Sequence, residues 1–278
     1  MTLQDLLKES SVLLEKTSPT ARLDAEVLIA HILGKDRSYF YTWPEREVTK
    51  PDLDTIHQQI QNRAGGTPVA YLTGTREFWS RSFTVSPDTL IPRPETELLI
   101  ELALDRIPLE RPFSIADLGT GSGIIGITLA LERPLCQVVA VDIEPAAVTI
   151  ATANAEAHQT KNISCQYSDW FDSLNPHLFD LIVSNPPYIE DTDPHLTDSD
   201  IRFEPPLALV SGSDGLDAIR RIIHDARYWI KPSGNILLEH GFNQQDGVRG
   251  ICLNNDFHNI TTHRDLQNHP RVTSAQWK

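Results

Sequence analysis

From Phe113 onward the chain alternates short apolar runs with helix-period stretches. Ser114-Ile115-Ala116 leads into a glycine-rich turn and a helix reaching about Glu132. Gln137 to Val141 is a continuous apolar run, and Pro145 opens an alanine-rich helix, where proline suits the first helical position. Further strands are predicted near Ile163 to Tyr167, Phe179 to Ser184 and Asn235 to Leu238, with a helix from about Leu216 to Ile230 before the last. Apolar strands separated by helices require a sheet covered on both faces, so the expected class is α/β with a doubly wound, mostly parallel sheet. Two final strands, near Asn259 to Thr262 and Arg271 to Ser274, show no helical pattern between them and predict an antiparallel hairpin at the C-terminus.

The first 75 residues follow another pattern. Leu3, Leu6, Leu7, Leu13 and Leu14 recur at near-helical spacing. A second helix is predicted from Arg22 to Leu33, stopped by Gly34, and a third after Pro51 with Leu53, Ile56 and Ile60 on one face. Gly65-Gly66-Thr67-Pro68 breaks it. Phe78 to Val85 reads as a short hairpin, and an apolar helix is expected from about Glu95 to Ile107. The expected division is a small helical domain over 1–75, a β-hairpin linker over 76–92 and an α/β domain over 93–278, within the size that one large domain and a small companion require.

A net charge of −14 argues against nonspecific nucleic-acid binding, which depends on Lys and Arg neutralising phosphate. It also disfavours an anionic membrane surface. No direct nucleic-acid or membrane partner is expected, and a monomer is the default. Cys136, Cys165 and Cys252 are isolated and odd in number, which suits reduced thiols rather than a disulfide framework. The ten histidines form no zinc-ligand pattern, so no metal is expected. No basic region followed by an apolar run opens the chain, and no stretch approaches the roughly 20 residues of a membrane span. The default localisation is cytoplasmic.

Asp117-Leu118-Gly119-Thr120-Gly121-Ser122-Gly123 follows the first predicted α/β strand and opens a helix. Glycines permit a sharp turn and close approach to a ligand, and the helix start offers unpaired N–H groups to an anion. Asp142 ends the next strand, where a carboxylate can accept both hydroxyls of a ribose. Gly121, Gly123 and Gly126 also satisfy G-x-G-x-x-G, with Asp142 about 20 residues on. The loop alone therefore fits either S-adenosylmethionine or a nicotinamide dinucleotide. A phosphate-binding Gly-Lys-Ser or Gly-Lys-Thr is absent.

Asn185-Pro186-Pro187-Tyr188 ends the Phe179 to Ser184 strand, and ligands of open α/β sheets bind at the carboxyl ends of strands. An amide nitrogen is a poor nucleophile because its lone pair is delocalised. The Asn185 side-chain oxygen can accept one N–H and the Pro186 carbonyl the other, which aims the nitrogen at a methyl donor and stabilises its developing charge. Prolines hold that carbonyl rigid, and Tyr188 offers a flat face to a planar amide or base. This tetrapeptide points to methylation of an amino or amide nitrogen without naming the substrate. An adenine-N6 methyltransferase would share it. A nicotinamide oxidoreductase would leave it unexplained, and a non-catalytic module would leave both constellations idle.

These residues resemble class I methyltransferases. A fuller set is similar to the bacterial protein-(glutamine-N5) methyltransferases that modify peptide-chain release factors, the PrmC/HemK family. It includes Leu23-Asp24-Ala25-Glu26, Pro68-Val69-Ala70-Tyr71-Leu72, Ile91-Pro92-Arg93-Pro94-Glu95-Thr96-Glu97, Arg202-Phe203-Glu204-Pro205, Asp214-Gly215-Leu216, Leu238-Glu239-His240-Gly241, and Arg264-Asp265-Leu266 with Arg271-Val272. The resemblance implies S-adenosyl-L-methionine as cofactor and the Gly-Gly-Gln glutamine of a release factor as substrate. By position, Gly119, Thr120, Gly121, Ser122 and Gly123 would hold the methionyl part, Asp142 the ribose, and Trp170 would flank the adenine. Asn185 would touch cofactor and substrate, and Pro186, Pro187 and Tyr188 the glutamine. Asn185, Pro186 and Tyr188 would carry the catalysis. Arg93 and Glu97 would line the site or fix the domain joint. Asn268 and Ser233 stand where the family favours glycine.

Overall fold

The computed structural model describes residues 1–197 and 200–278. They form two compact units: Met1–Thr75 with Pro194–Phe203, and Arg76–Asp193 with Glu204–Lys278.

Residues 1–75 of the first unit hold five α-helices where periodicity predicts three. Helix α1 (Leu3–Leu14) is capped by Thr2, whose hydroxyl accepts the Asp5 N–H. Helix α2 (Ala21–Leu33) stops at Gly34 in the left-handed conformation, at φ 60°. Helix α3 (Ser38–Thr42) and α5 (Val69–Thr73) are single turns, too short to display a period. Helix α4 (Lys50–Ala64) is capped by Thr49 and carries proline in its first turn. Leu6, Leu14, Leu28, Ile29, Ile56 and Ile60 make the core. Two acids of α2 are buried and paired. Glu26 takes Arg22, Arg37 and the Tyr41 hydroxyl. Asp24 takes Arg63, which also reaches Asp200 at 2.7 Å. A buried guanidinium with one carboxylate removed would leave uncompensated charge, so Asp200 ties its segment to this helical unit. From sequence, that segment falls with the α/β domain.

In the second unit, β1 (Thr75–Phe78) and β2 (Arg81–Thr84) form the predicted hairpin. Trp79 and Ser80 turn it with positive φ at both positions, as a two-residue hairpin with the strands' own twist requires. A short 3-10 turn over Pro94–Thr96 leads into α6 (Glu97–Leu104). The main strands are β3 (Phe113–Leu118), β4 (Cys136–Asp142), β5 (Ile163–Tyr167), β6 (Phe179–Ser184), β7 (Ile230–Glu239), β8 (His258–Arg264) and β9 (Pro270–Gln276), in the order β5-β4-β3-β6-β7-β9-β8. The first five pair in parallel, while β9 runs antiparallel between β7 and β8. This is the expected doubly wound sheet with its C-terminal hairpin.

Helices α6, α7 (Ile124–Glu132) and α8 (Pro145–Ala157) contribute to one buried layer with Leu99, Ile127 and Ala155. Helices α9 (Asp217–Ala226) and α10 (Gln245–Asn254) contribute to the other with Ile219, Ile222 and Val248. The helix predicted from Leu216 to Ile230 ends at Ala226, and β7 begins at Ile230. Helix α10 was not predicted; it buries only Val248 and Cys252, and Gly247 and Gly250 interrupt its pattern. Ser233 and Asn268 both adopt positive φ, 63° and 64°, the backbone that glycine takes without strain. Among the described residues, no helix is long and apolar enough to cross a membrane.

Candidate active site

Strand β3 lies between β4, reached through α7, and β6 on its other side. The connections leaving β3 and β6 diverge there, which opens a crevice at the strand ends. A cavity of about 440 Å³ occupies it. That volume suits a drug-sized ligand. Gly119, Thr120, Gly121, Ser122, Asp142, Trp170, Asn185 and Pro187 line it; Gly123, Pro186 and Tyr188 do not.

The glycine-rich loop is held from beneath. Asp117 is fully buried, and its Oδ2 accepts the Thr120 hydroxyl at 2.6 Å and the Gly126 N–H at 2.9 Å. Burial pushes this carboxyl up to about 6 despite those two donors. Gly126 allows the approach: a Cβ there would stand 2.9 Å from Asp117 Oδ2. Gly123, at φ 86°, begins α7 against Ile127 and Ala151, so its role is to start the helix. Asn154 of α8 donates to the Ser122 carbonyl and exchanges two hydrogen bonds with the Thr84 backbone, tethering the hairpin to the loop.

Asp142 sits across the loop. Its Oδ2 accepts the Gly121 N–H at 2.8 Å and its Oδ1 the Glu144 N–H at 3.0 Å. Each oxygen keeps a further lone pair for a ligand hydroxyl. Desolvation raises this carboxyl above its ordinary value, against the two backbone donors. The ring of Trp170 lies over the loop, its Cζ3 at 3.5 Å from the place a Gly119 Cβ would take, and its own backbone has φ 50°.

The register of β3 and β6 pairs Leu118 with Ser184. Ser184 Oγ donates to the Leu118 carbonyl at 2.7 Å and fastens the two strand ends together. Gly119 and Asn185 therefore leave the sheet at the same level. Asn185 Nδ2 donates to Thr96 Oγ1 at 3.2 Å, while its Oδ1 is buried without a partner among the described residues. Ser122 Oγ is buried and unpaired in the same way. Pro186 is buried and is not part of the cavity wall. Tyr188 is not part of the cavity wall; its carbonyl accepts from Gln244 Nε2, and its phenol is raised by burial and by the nearby Glu239.

Several lining groups lie outside the glycine-rich loop and the Asn185-Pro186-Pro187-Tyr188 motif. Asp88, Thr89, Leu90 and Pro92, from the stretch assigned to a linker, line the cavity. Arg93 lines it too and is ion-paired with Glu204, which also accepts the Ile91 N–H. Glu97 instead accepts the Trp79 N–H of the hairpin turn. Thr96 was visible only as part of a family-like run.

Two family descriptions match the chain: the PrmC N-terminal domain over residues 5–74 and the methyltransferase small domain over residues 95–202. The chain is 44% identical to a release factor glutamine methyltransferase of Shewanella oneidensis, over 98% of this chain and 95% of that protein. It is 45% identical to one of Pseudomonas aeruginosa, over 99% of each. Among solved structures, the T. thermophilus 16S rRNA N2 G1207 methyltransferase is similar in fold, at 20% identity and a TM-score of 0.52, over 73% of this chain and 50% of that one. Such identity across nearly the whole length, on a class I methyltransferase fold, excludes the nicotinamide reading and places this chain in the release factor glutamine methyltransferase family.

Proposed function

We propose that this protein transfers the methyl group of S-adenosylmethionine to the side-chain nitrogen of a glutamine in a peptide-chain release factor. The observation that carries the reading is the Asn185 amide. Its nitrogen end is held by Thr96, its oxygen end is buried and unpaired, and the residue lines the same cavity as the Gly119–Ser122 loop. An unpaired buried acceptor costs free energy until a donor arrives, and a glutamine NH₂ supplies one.

The lining fits the cofactor. Ser122 Oγ can donate to its carboxylate, Asp142 can accept from its ribose, and Trp170 can cover its adenine. When bound, it supplies a methyl carbon on a positively charged sulfur. Asn185 Oδ1 and the Pro186 carbonyl would hold the two N–H bonds of the glutamine amide, so that its lone pair faces that carbon. With the methyl accepted and the C–S electron pair left on sulfur, the glutamine nitrogen would carry positive charge. The two acceptors stabilise that charge until one N–H proton passes to water. Neither acceptor needs to change its own protonation. The helical unit over 1–75 is proposed to grip a second surface of the release factor, raising the effective concentration of the loop at the site.

The test is incubation with isotopically labelled S-adenosylmethionine and purified release factor, followed by mapping of the label by mass spectrometry. Label on the glutamine of the Gly-Gly-Gln loop is expected. Label on adenine in DNA or RNA, with none on the factor, would overturn the substrate. A truncation starting near Thr75 should lose more efficiency on intact factor than on a loop peptide; equal losses would reduce the helical unit to a stabilising role.

A further inference from the structure

We infer that Glu239 and Thr96 are positioning residues that set which end of the Asn185 amide faces the methyl-accepting nitrogen. This rests on the role given to Asn185 above. Register places the three together: Ser184 pairs with Leu238, so Asn185 and Glu239 follow paired residues at the ends of β6 and β7. Thr96 and Glu239 are each 1% exposed. Thr96 Oγ1 accepts from Asn185 Nδ2 at 3.2 Å, and the Thr96 side chain sits near enough to Glu239 to oppose the rise of its carboxyl.

A hydroxyl has one proton to give, and an ionised carboxylate can only accept. With Glu239 ionised, the Thr96 proton goes to Glu239. The Thr96 lone pair then faces Asn185, which answers with its NH₂ group, and Oδ1 is left for the substrate. With Glu239 protonated, the carboxylic acid can donate to Thr96 Oγ1. The Thr96 proton is then free for Asn185 Oδ1, the amide turns over, and its NH₂ confronts the substrate's NH₂. Donor against donor cannot hold a glutamine.

The groups facing Glu239 are Thr96, Glu95 and Arg93 from the segment around the 3-10 turn, Tyr188 after β6, and Arg271 of β9. Burial pushes Glu239 up to about 7, with Glu95 in the same direction and Thr96 and the two arginines opposing. Its Oε2 has no partner among the described residues.

The experiment compares Thr96→Val, Thr96→Ser and Glu239→Gln in the full-length enzyme. Thr96→Val keeps the shape and deletes the hydroxyl. It should lower kcat about tenfold, the scale of one buried hydrogen bond to a working group, with KM for S-adenosylmethionine unchanged. Thr96→Ser should keep kcat. Wild-type kcat should rise with pH through about 7, and Glu239→Gln should flatten that rise. The Asn185 side-chain NH₂ signals, assigned by their loss in Asn185→Asp, should shift in ¹⁵N-correlated spectra of Thr96→Val and stay in place in Thr96→Ser. Unmoved signals, or equal kcat in both Thr96 variants, would overturn the proposal, as would an unchanged acid limb in Glu239→Gln. If Thr96→Val does not fold, the Glu239→Gln pH profile decides. The NH₂ signals need no substrate: their shift in an enzyme that fails to methylate the release factor would refute the substrate reading and support the positioning one.

Discussion

Replacing Asn185 with alanine should move stability and turnover in opposite directions. In the folded protein the Asn185 side chain makes one hydrogen bond, from Nδ2 to Thr96, and keeps Oδ1 buried and unpaired. Losing the bond costs about 1 kcal/mol, while relieving the unpaired oxygen returns about 1–3 kcal/mol. Asn185 borders an open cavity, so its truncation leaves little new void. The net change therefore lies between about zero and a gain of about 2 kcal/mol. At about 2–4 °C per kcal/mol for a chain somewhat smaller than this one, the melting temperature should hold or rise by several degrees. Turnover should fall. Loss of one acceptor that stabilises charge in the transition state is worth about 2–4 kcal/mol, by analogy with removal of one oxyanion-hole donor, or about 30- to 1,000-fold in rate. The assays are a thermal melt without ligand and single-turnover methyl transfer to release factor at saturating S-adenosylmethionine. A variant destabilised by more than about 2 kcal/mol would show Asn185 to be a structural residue. Near-normal turnover in a folded variant would refute the clamp.

Gly126→Ala should lower stability by about 1–3 kcal/mol by thermal melt, because its Cβ would stand 2.9 Å from Asp117 Oδ2 and 3.1 Å from Ile163 Cδ1. The same shift of Asp117 should weaken S-adenosylhomocysteine binding in calorimetry. Asp117 and Glu239, pushed up by burial to about 6 and about 7, each hold a proton more tightly folded than unfolded. Their stabilisation is complete below the ordinary carboxylate range and is lost as pH rises through 6 to 7. Measured by urea unfolding, the fall from pH 5 to pH 8 should shrink in Asp117→Asn. Ser233→Gly should raise the melting temperature by a few degrees, since a non-glycine residue at φ 63° costs about 1–2 kcal/mol.

The donor half of the site was readable because its chemistry is local. The glycines, the helix start and Asp142 need only a strand, a turn and a helix in succession. Asn185-Pro186-Pro187-Tyr188 was readable as a strand-end motif for the same reason, although only Asn185 and Pro187 reach the cavity wall and the clamp itself is part of the proposal. What remained hidden joins side chains distant in sequence. Thr96 meets Asn185 across 89 positions, Glu204 meets Arg93 across 111, and Asp200 meets Arg63 across 137. No periodicity records such pairs. Helix α10 escaped for another reason: Gly247 and Gly250 interrupt the run of helix formers, and only Val248 and Cys252 are buried.

The Leu118–Ser184 pairing has a further consequence, for how this enzyme can fail. Methyl transfer requires reacting atoms about 3–3.5 Å apart. One residue of strand advances about 3.3 Å and turns the side chain to the other face of the sheet. The smallest slip available between β3 and β6 is thus as long as the whole reacting distance, and it points Asn185 away from the crevice. Sheet hydrogen bonding makes alignment discrete, with no graded series between aligned and inert. Damage to this pairing, for example by removing the Ser184 hydroxyl that clasps the Leu118 carbonyl, should therefore lower the number of working molecules counted by active-site titration. The molecules that remain would turn over at full speed.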